Sequence, residues 1–251
     1  MQQLMLPTPF DYRLSVWVEG DETADHTVVL VHGFGTNKHE TAGYFDDLVA
    51  ALSQIYRMVR FDFAGLGDSE GTLSTMTYER QAEELRVVLQ WVVQQFSGQI
   101  SIVAQSMGCF ITALCSPEGI SRTVFTGIPN IHTDRIVDRI ARRFAKKPES
   151  VVDIQGVSRI LRSSGEIQTI QPDFWQSIIR FKPLETVEIY AAKTKLLIIH
   201  PNQDDVVGTD DLDGYADLTG TTVKHMDGDH SYTKIEDREN VIREIEEWLK
   251  T

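Results

Sequence analysis

A serine, an aspartate and a histidine each follow a different strand-like segment of this 251-residue chain. Ser106 comes directly after QISIVAQ, Asp204 comes shortly after KLLIIH, and His230 comes shortly after TTVKHM. A hydroxyl is a poor nucleophile near neutral pH, so nucleophilic catalysis needs an imidazole to accept its proton and a carboxylate to orient that imidazole. Ser106 taken alone has a second interpretation, because serine at a strand-to-helix turn is a common helix N-cap.

The elements that would position these residues alternate along the chain. Short runs rich in β-branched residues predict strands over 12–20, 27–33, 58–63, 99–105, 122–128, 195–200 and 221–226. Apolar residues at spacings of three and four predict amphipathic helices, the last of which runs from about Asp237 to Lys250. The alternation predicts an α/β fold in which helices cover both faces of a mostly parallel sheet. Reactive groups in such a sheet gather beyond the carboxyl ends of the strands.

The segment 128–186 interrupts this alternation. It contains three helical patterns, DRIVDRIARRF, VSRILRSS and DFWQSIIRF, and no clear strand. It also holds ten Lys and Arg against seven Asp and Glu, whereas the whole chain has a net charge of -13. We therefore predict that residues 1–127 and 187–251 form the α/β core and that residues 128–186 form a helical cap above it.

Charge and hydropathy argue against several classes of protein. The net charge of -13 argues against a nucleic-acid partner, because phosphate binding needs a basic surface. The first residues show no basic region followed by a long apolar stretch, and no apolar run approaches about 18 residues. We therefore expect a cytoplasmic protein without a membrane span.

Metal and disulfide chemistry are not predicted. The histidines show no metal-ligand spacing, so we expect no metal and no cofactor. Cys109 and Cys115 lie six positions apart on one predicted helix, where their side chains point in different directions. We expect two buried free thiols, and the sequence leaves the oligomeric state open.

Five motifs stand at or near predicted strand ends: HGFG (32–35), RFDFAGLGDSEG (60–71), AQSMG (104–108), HPNQDD (200–205) and GDHSY (228–232). Their order and the strand-turn-helix pattern around AQSMG resemble the α/β-hydrolase family over nearly the whole chain. Within that family the sequence is most similar to small bacterial carboxylesterases of the cinnamoyl or feruloyl esterase and monoacylglycerol lipase type. It departs from the family pattern at Ala104 and Pro201, where the family commonly has glycine.

The resemblance implies a role for each of the three residues named first. Ser106 would be the nucleophile, His230 the base and Asp204 the carboxylate that orients the imidazole. Asp205 is the alternative acid, and the register of the family motif selects Asp204. His225 is the alternative base, but it lies inside a strand pattern and the family motif matches His230.

The resemblance also implies an oxyanion hole and a substrate pocket. The backbone N–H groups of Phe34 and Met107 occupy the matching positions for the oxyanion hole. The cap would lie over the serine, and the candidate residues of the pocket are Gln105, Phe144, Phe174, Trp175 and Phe181. The alternative for each of these aromatic residues is that it buries the cap against the sheet.

Two groups of charged residues carry weaker signals. The basic residues of the predicted cap are interpreted as a solvated helix face or, alternatively, as groups that steer anionic substrates: Arg139, Arg142, Arg143, Lys146 and Lys147. The motif DFAGLGDSEG matches no phosphate-binding pattern. Its carboxylates Asp62 and Asp68 are therefore expected to anchor a loop.

The implied activity is hydrolysis of carboxylic esters with small acyl or aromatic-acid groups, through an acyl-enzyme. The same residues would also serve thioester, amide or carbon–carbon bond hydrolysis, or acyl transfer. A non-catalytic binding protein on the same fold is a further alternative. The expected partner is a small-molecule ester.

Overall fold

A computed structural model describes residues 1–161, 165, 167–210 and 212–250. The strands in chain order are β1 (Gln2–Pro7), β2 (Arg13–Gly20), β3 (His26–Val31), β4 (Arg57–Phe61), β5 (Gln99–Gln105), β6 (Ile120–Thr126), β7 (Ser158–Leu161), β8 (Ile167–Ile170), β9 (Lys195–Pro201) and β10 (Thr221–Met226). Eight of them form one sheet in the order β1-β2-β4-β3-β5-β6-β9-β10, and β7 and β8 form a separate hairpin.

Strand β3 lies inside the sheet, between β4 and β5 and parallel to both. Val28 and Leu30 belong to the core on one face of the sheet, whereas Val29 and Val31 belong to the core on the other. Residues two apart on a strand share a face, so an apolar residue at every position is required where both faces are covered. This accounts for the continuous apolar run that predicted the strand.

Strand β2 pairs antiparallel with both of its neighbours, β1 and β4. All other neighbouring pairs of this sheet are parallel. The mostly parallel sheet predicted from the sequence is therefore confirmed. Strand β1 was not among the predicted strands. Its sequence QQLMLP buries only Leu6 and ends in proline, which is typical of an edge strand rather than a core strand.

The helices of the described residues are α1 (Tyr44–Leu52), α2 (Tyr78–Gln95), α3 (Met107–Cys115), α4 (Thr133–Ala145), α5 (Pro172–Arg180), α6 (Pro183–Ala191) and α7 (Ile235–Lys250). Helices α1 and α7 pack into one core cluster and α2 and α3 into the other, which covers both faces of the sheet. Cys109 and Cys115 on α3 are buried free thiols, as expected. Within the described ranges, no helix combines the length and the apolar character needed to cross a membrane.

The predicted cap segment contains α4, the β7–β8 hairpin and α5, so the expectation that it holds no strand is wrong. The pattern VSRILRSS starts strand β7 instead of a helix, and its last three residues lie outside the described residues. Ser158 and Ile160 are buried whereas Arg159 between them is exposed, which is the alternation of a strand. The Trp175 indole donates a hydrogen bond to the Ser158 hydroxyl at 3.0 Å and so ties the hairpin to α5. The division of the chain into core and cap stays a prediction.

A buried ion pair anchors the loops that follow β3 and β4. The Lys38 ammonium is 1% exposed and donates to Asp62 Oδ2 and to Asp68 Oδ2, each at 2.6 Å. The fully buried Asp62 carboxylate also accepts the backbone N–H groups of Lys38 at 2.7 Å and of Asp68 at 2.9 Å. The hydrogen bond from Lys38 lowers the pKa of Asp68. Asp62 and Asp68 therefore anchor these loops, as predicted.

We expect Lys38→Met to destabilise the fold by about 3–5 kcal/mol, because it leaves the buried Asp62 carboxylate without its cation. Urea denaturation followed by tryptophan fluorescence measures the change. Arg13→Met is the matched control, since it removes an exposed ion pair with Glu70 and should leave the unfolding midpoint almost unchanged. Equal midpoints for the two variants would contradict the anchoring role.

Candidate active site

Ser106 lies on a sharp turn between β5 and α3. Its backbone dihedrals are φ 55° and ψ -125°, a conformation that a residue with a side chain rarely adopts. The first turn of helix α3, which follows Ser106, passes very close to the end of β3. A Cβ atom on Gly108 would lie 2.5 Å from the Val31 carbonyl oxygen and 2.7 Å from that of His32. Glycine is therefore required at position 108, and the approach holds Ser106 at the carboxyl end of the sheet.

The departure from the family pattern at Ala104 is accommodated inside the strand. Ala104 is fully buried in β5 and is paired in register with Val31 on one side and Phe125 on the other. It is not among the residues with positive φ. A methyl group at this position therefore requires no left-handed backbone.

The side chains of Ser106, His230 and Asp204 form a continuous line of hydrogen bonds. His230 Nε2 lies 2.9 Å from Ser106 Oγ, and His230 Nδ1 lies 2.6 Å from Asp204 Oδ2. The other carboxylate oxygen of Asp204 accepts the backbone N–H groups of Val206 and Val207, both at 2.9 Å. Asp204 is thus a fixed acceptor, and it selects the tautomer of His230 in which Nδ1 carries the proton and Nε2 faces the serine.

The alternative acid and base lie away from this line. Asp205 is exposed, and His225 is an exposed residue of β10 whose ring lies 5.4 Å from that of His200. Burial lowers the pKa of His200 to about 4, so this neighbour of Asp204 is neutral near physiological pH. The structure therefore brings His230 to Asp204, and neither Asp205 nor His225 takes part in the contact.

Gln105, a predicted pocket residue, also holds the histidine loop. Its side-chain amide donates a hydrogen bond of 2.6 Å to the backbone carbonyl of His230, and its carbonyl accepts the Thr126 hydroxyl. Gly127 packs closely against both groups, because a Cβ atom at this position would lie only 3.1 Å from the Gln105 amide nitrogen and from the His230 ring. The bond to the loop of His230 was not predicted, because nothing in the sequence indicates which backbone carbonyl a buried glutamine contacts.

Phe34 and Met107, the predicted oxyanion-hole residues, line the same cavity as Ser106. Met107 is the first residue of α3, where backbone N–H groups have no acceptor within the helix and the helix dipole favours negative charge. The HGFG loop that carries Phe34 is braced by Glu40, which accepts the Gly33 N–H at 2.6 Å.

His32 adds a second brace to this loop. Its Nδ1 donates to the Gly33 carbonyl at 2.9 Å, and its Nε2 accepts the Phe63 N–H at 3.1 Å. Burial lowers the pKa of His32, in agreement with a neutral ring that donates at one nitrogen and accepts at the other. His32 is therefore part of the support of the HGFG loop rather than a further acid or base.

The predicted pocket residues separate into two groups. Gln105 and Phe144 line the cavity with Ser106 and His230, whereas Phe174, Trp175 and Phe181 are not part of its lining. Phe174 stacks on Phe34 with ring centroids 5.1 Å apart, which supports the loop from behind. Phe181 packs 4.7 Å from Phe110 of α3, and Trp175 is fully buried against the hairpin. These three aromatic residues are therefore buried in packing contacts, which is the alternative interpretation of the sequence, and they do not line the pocket.

Several cavity residues were missed as pocket candidates from the sequence. They come mainly from α4 and from the loop after β9: Ile136, Arg139, Ile140, Arg143, Val206 and Val207. A signal for the first four was present, because they lie at helical spacings of three and four with Phe144. The sequence does not indicate which face of α4 turns towards the serine.

Comparisons with known proteins agree with this architecture. A sequence model of the alpha/beta hydrolase fold matches residues 26–165. No curated protein sequence matches the chain significantly. The chain is similar in structure to the Pyrococcus furiosus esterase Pf2001, with 20% identity, a TM-score of 0.74 and coverage of 99% of this chain and 89% of that chain.

Two further solved structures are similar over their whole length. One is Est1E from Butyrivibrio proteoclasticus with ferulic acid bound, at 14% identity and a TM-score of 0.76, covering 99% of this chain and 100% of that chain. The other is the alpha/beta hydrolase GrgF from Penicillium sp. sh18, at 14% identity and a TM-score of 0.77, covering 99% and 97%. These identities show a shared fold. Because the sequence model spans more than half of the residues, this chain belongs to the alpha/beta hydrolase fold family.

Proposed function

We propose that the protein is a serine hydrolase that cleaves carboxylic esters, with Ser106 as nucleophile, His230 as general base and acid, and Asp204 as the group that orients His230. The observation that carries the proposal is the line of hydrogen bonds of 2.9 Å and 2.6 Å that joins the three side chains beside a lined cavity. A hydroxyl and an imidazole in this arrangement are the requirement for an activated nucleophile.

In the first half of the reaction, His230 Nε2 accepts the proton of Ser106 as Oγ attacks the carbonyl carbon of the ester. The imidazolium that forms is stabilised by the Asp204 carboxylate at Nδ1. The carbonyl oxygen becomes an oxyanion, and the N–H groups of Met107 and Phe34 donate to it. His230 then gives its proton to the leaving alcohol, and an acyl-enzyme remains on Ser106.

In the second half, a water molecule enters beside His230. His230 Nε2 accepts a proton from the water while its oxygen attacks the acyl carbon. The same backbone N–H groups stabilise the second oxyanion. Collapse of this intermediate returns the proton to Ser106 and releases the carboxylic acid, so the protein is regenerated without a net change.

The choice of carboxylic esters over other acyl compounds rests on chemistry and on similarity. The lining of the cavity mixes apolar side chains, among them Ile136, Ile140 and Phe144, with polar ones, so a small organic ester finds both kinds of contact there. Two of the structurally similar proteins are described as an esterase and as a protein with ferulic acid bound. Hydrolysis of thioesters, amides or carbon–carbon bonds, and acyl transfer, would use the same Ser106 and are the alternatives. The cytoplasmic location expected from the sequence stays a prediction.

A panel of para-nitrophenyl esters of increasing acyl length, extended with aromatic-acid esters, tests the reaction type. We expect turnover of the short-chain or aromatic members and a loss of at least about a thousandfold in kcat for Ser106→Ala, because the residual rate comes only from binding and the oxyanion hole. Release of para-nitrophenol or of the aromatic acid is measured. Turnover of the esters by Ser106→Ala at the wild-type rate would contradict the proposal. Retention of an unchanged bound ester by the wild type would favour a binding protein.

A second test separates the two neighbouring aspartates. We expect Asp204→Asn to lower kcat on the order of 10⁴-fold, because an amide group in place of the carboxylate no longer holds His230 in the required tautomer. Asp205→Asn is the matched control and should keep wild-type kcat, since Asp205 is exposed and outside the line of hydrogen bonds. Steady-state kinetics on one ester measure both variants. A larger loss in Asp205→Asn than in Asp204→Asn would reverse the assignment.

A further inference from the structure

One face of helix α4 is turned towards the cavity that holds Ser106. Ile136, Ile140 and Phe144 line this cavity, and so do Arg139 and Arg143. The last four residues in chain order follow Ile136 by three, four, seven and eight positions, which places all five on the same side of an α-helix. The helix therefore presents an apolar stripe and two guanidinium groups to the same space.

The two arginines differ in what neutralises them. Arg139 forms an ion pair with Asp210, and its guanidinium packs against Gly208. Arg143 is exposed, and within the described part of the chain it forms no ion pair or hydrogen bond. Arg143 is therefore a cation at the cavity whose charge is not compensated by a described neighbour.

The acidic side chain in the lining of this cavity is already engaged. Glu40 also lines the cavity, but its two carboxylate oxygens accept the N–H groups of Gly33 at 2.6 Å and of Thr41 at 2.7 Å. Glu40 is buried, whereas Arg143 lies on the solvent side. The guanidinium of Arg143 is therefore accessible to an anion from solvent, whereas the carboxylate of Glu40 is buried.

We propose that the preferred substrates are esters that carry a carboxylate on an otherwise apolar skeleton, with Arg143 binding that carboxylate while the ester carbonyl lies at Ser106. This inference rests on the proposed function. The planar guanidinium matches a carboxylate with two parallel hydrogen bonds, which gives direction as well as attraction. The apolar stripe of α4 accounts for the skeleton between the two polar ends.

The experiment compares two pairs of esters of similar shape. The pair with the charge on the acyl side is para-nitrophenyl hemisuccinate and para-nitrophenyl pentanoate. The pair with the charge on the alcohol side consists of the para-carboxyphenyl and para-tolyl esters of butanoic acid. Their hydrolysis is measured in a pH-stat as the release of acid. For each pair the ratio of kcat/KM of the anionic ester to that of the neutral ester is measured.

Arg142→Gln is the matched control for Arg143→Gln. Arg142 is the next residue on the helix, but it is exposed, paired with Asp138 at 2.9 Å and absent from the cavity lining. Arg143→Lys adds a variant that retains the charge and loses the planar fork.

We expect Arg143→Gln to lower the ratio about tenfold for one pair, mainly through KM, whereas Arg142→Gln retains the wild-type ratio. Arg143→Lys should restore part of the ratio, and added salt should lower the wild-type ratio because the group is exposed. Equal ratios in wild type and both glutamine variants for both pairs would overturn the inference while neutral esters are still hydrolysed. Failure of the wild type to hydrolyse any of the four esters would contradict the proposed function itself.

Discussion

The close passage of the turn after Ser106 beneath the end of β3 is the constraint on which the site depends. Gly108 lies so near the carbonyl groups of Val31 and His32 that no side chain fits between them. Ser106 has a strained φ of 55° beside this passage, and it is held there between a buried strand on one side and the start of α3 on the other. The turn thus places both Ser106 and Met107 in the lining of the cavity.

The parallel order of the strands brings the remaining groups to the same edge. Strands β3, β5, β6, β9 and β10 all end there, and the loops after β9 and β10 carry Asp204 and His230. These two residues are separated by many positions from Ser106 along the chain, yet the bonds of Gln105 to the His230 carbonyl and of the Val206 and Val207 amides to Asp204 hold them within hydrogen-bonding distance. Packing and hydrogen bonds therefore supply the precision that the proposed catalysis needs.

Most of the sheet was predictable because its strands are buried on both faces. The run TVVLV of β3 has no competing interpretation once helices alternate with strands, and the α/β prediction is confirmed. The predicted cap segment was less predictable, since VSRILRSS satisfies a helical spacing by chance and its strand forms by pairing with β8. The same limit applies to the pocket: Phe174 and Phe144 are both aromatic residues of the predicted cap segment, and only the three-dimensional packing separates a support of the HGFG loop from a cavity wall.

The proposed catalytic roles rest on geometry and chemistry, and one measurement tests them most directly. Intact-protein mass spectrometry after treatment with a fluorophosphonate, followed by peptide mapping, reports whether a hydroxyl in the folded protein is an activated nucleophile. The proposed mechanism predicts one adduct, located on Ser106, and its loss when His230 is replaced by alanine. An unmodified protein, or an adduct on another residue with Ser106 untouched, would contradict it.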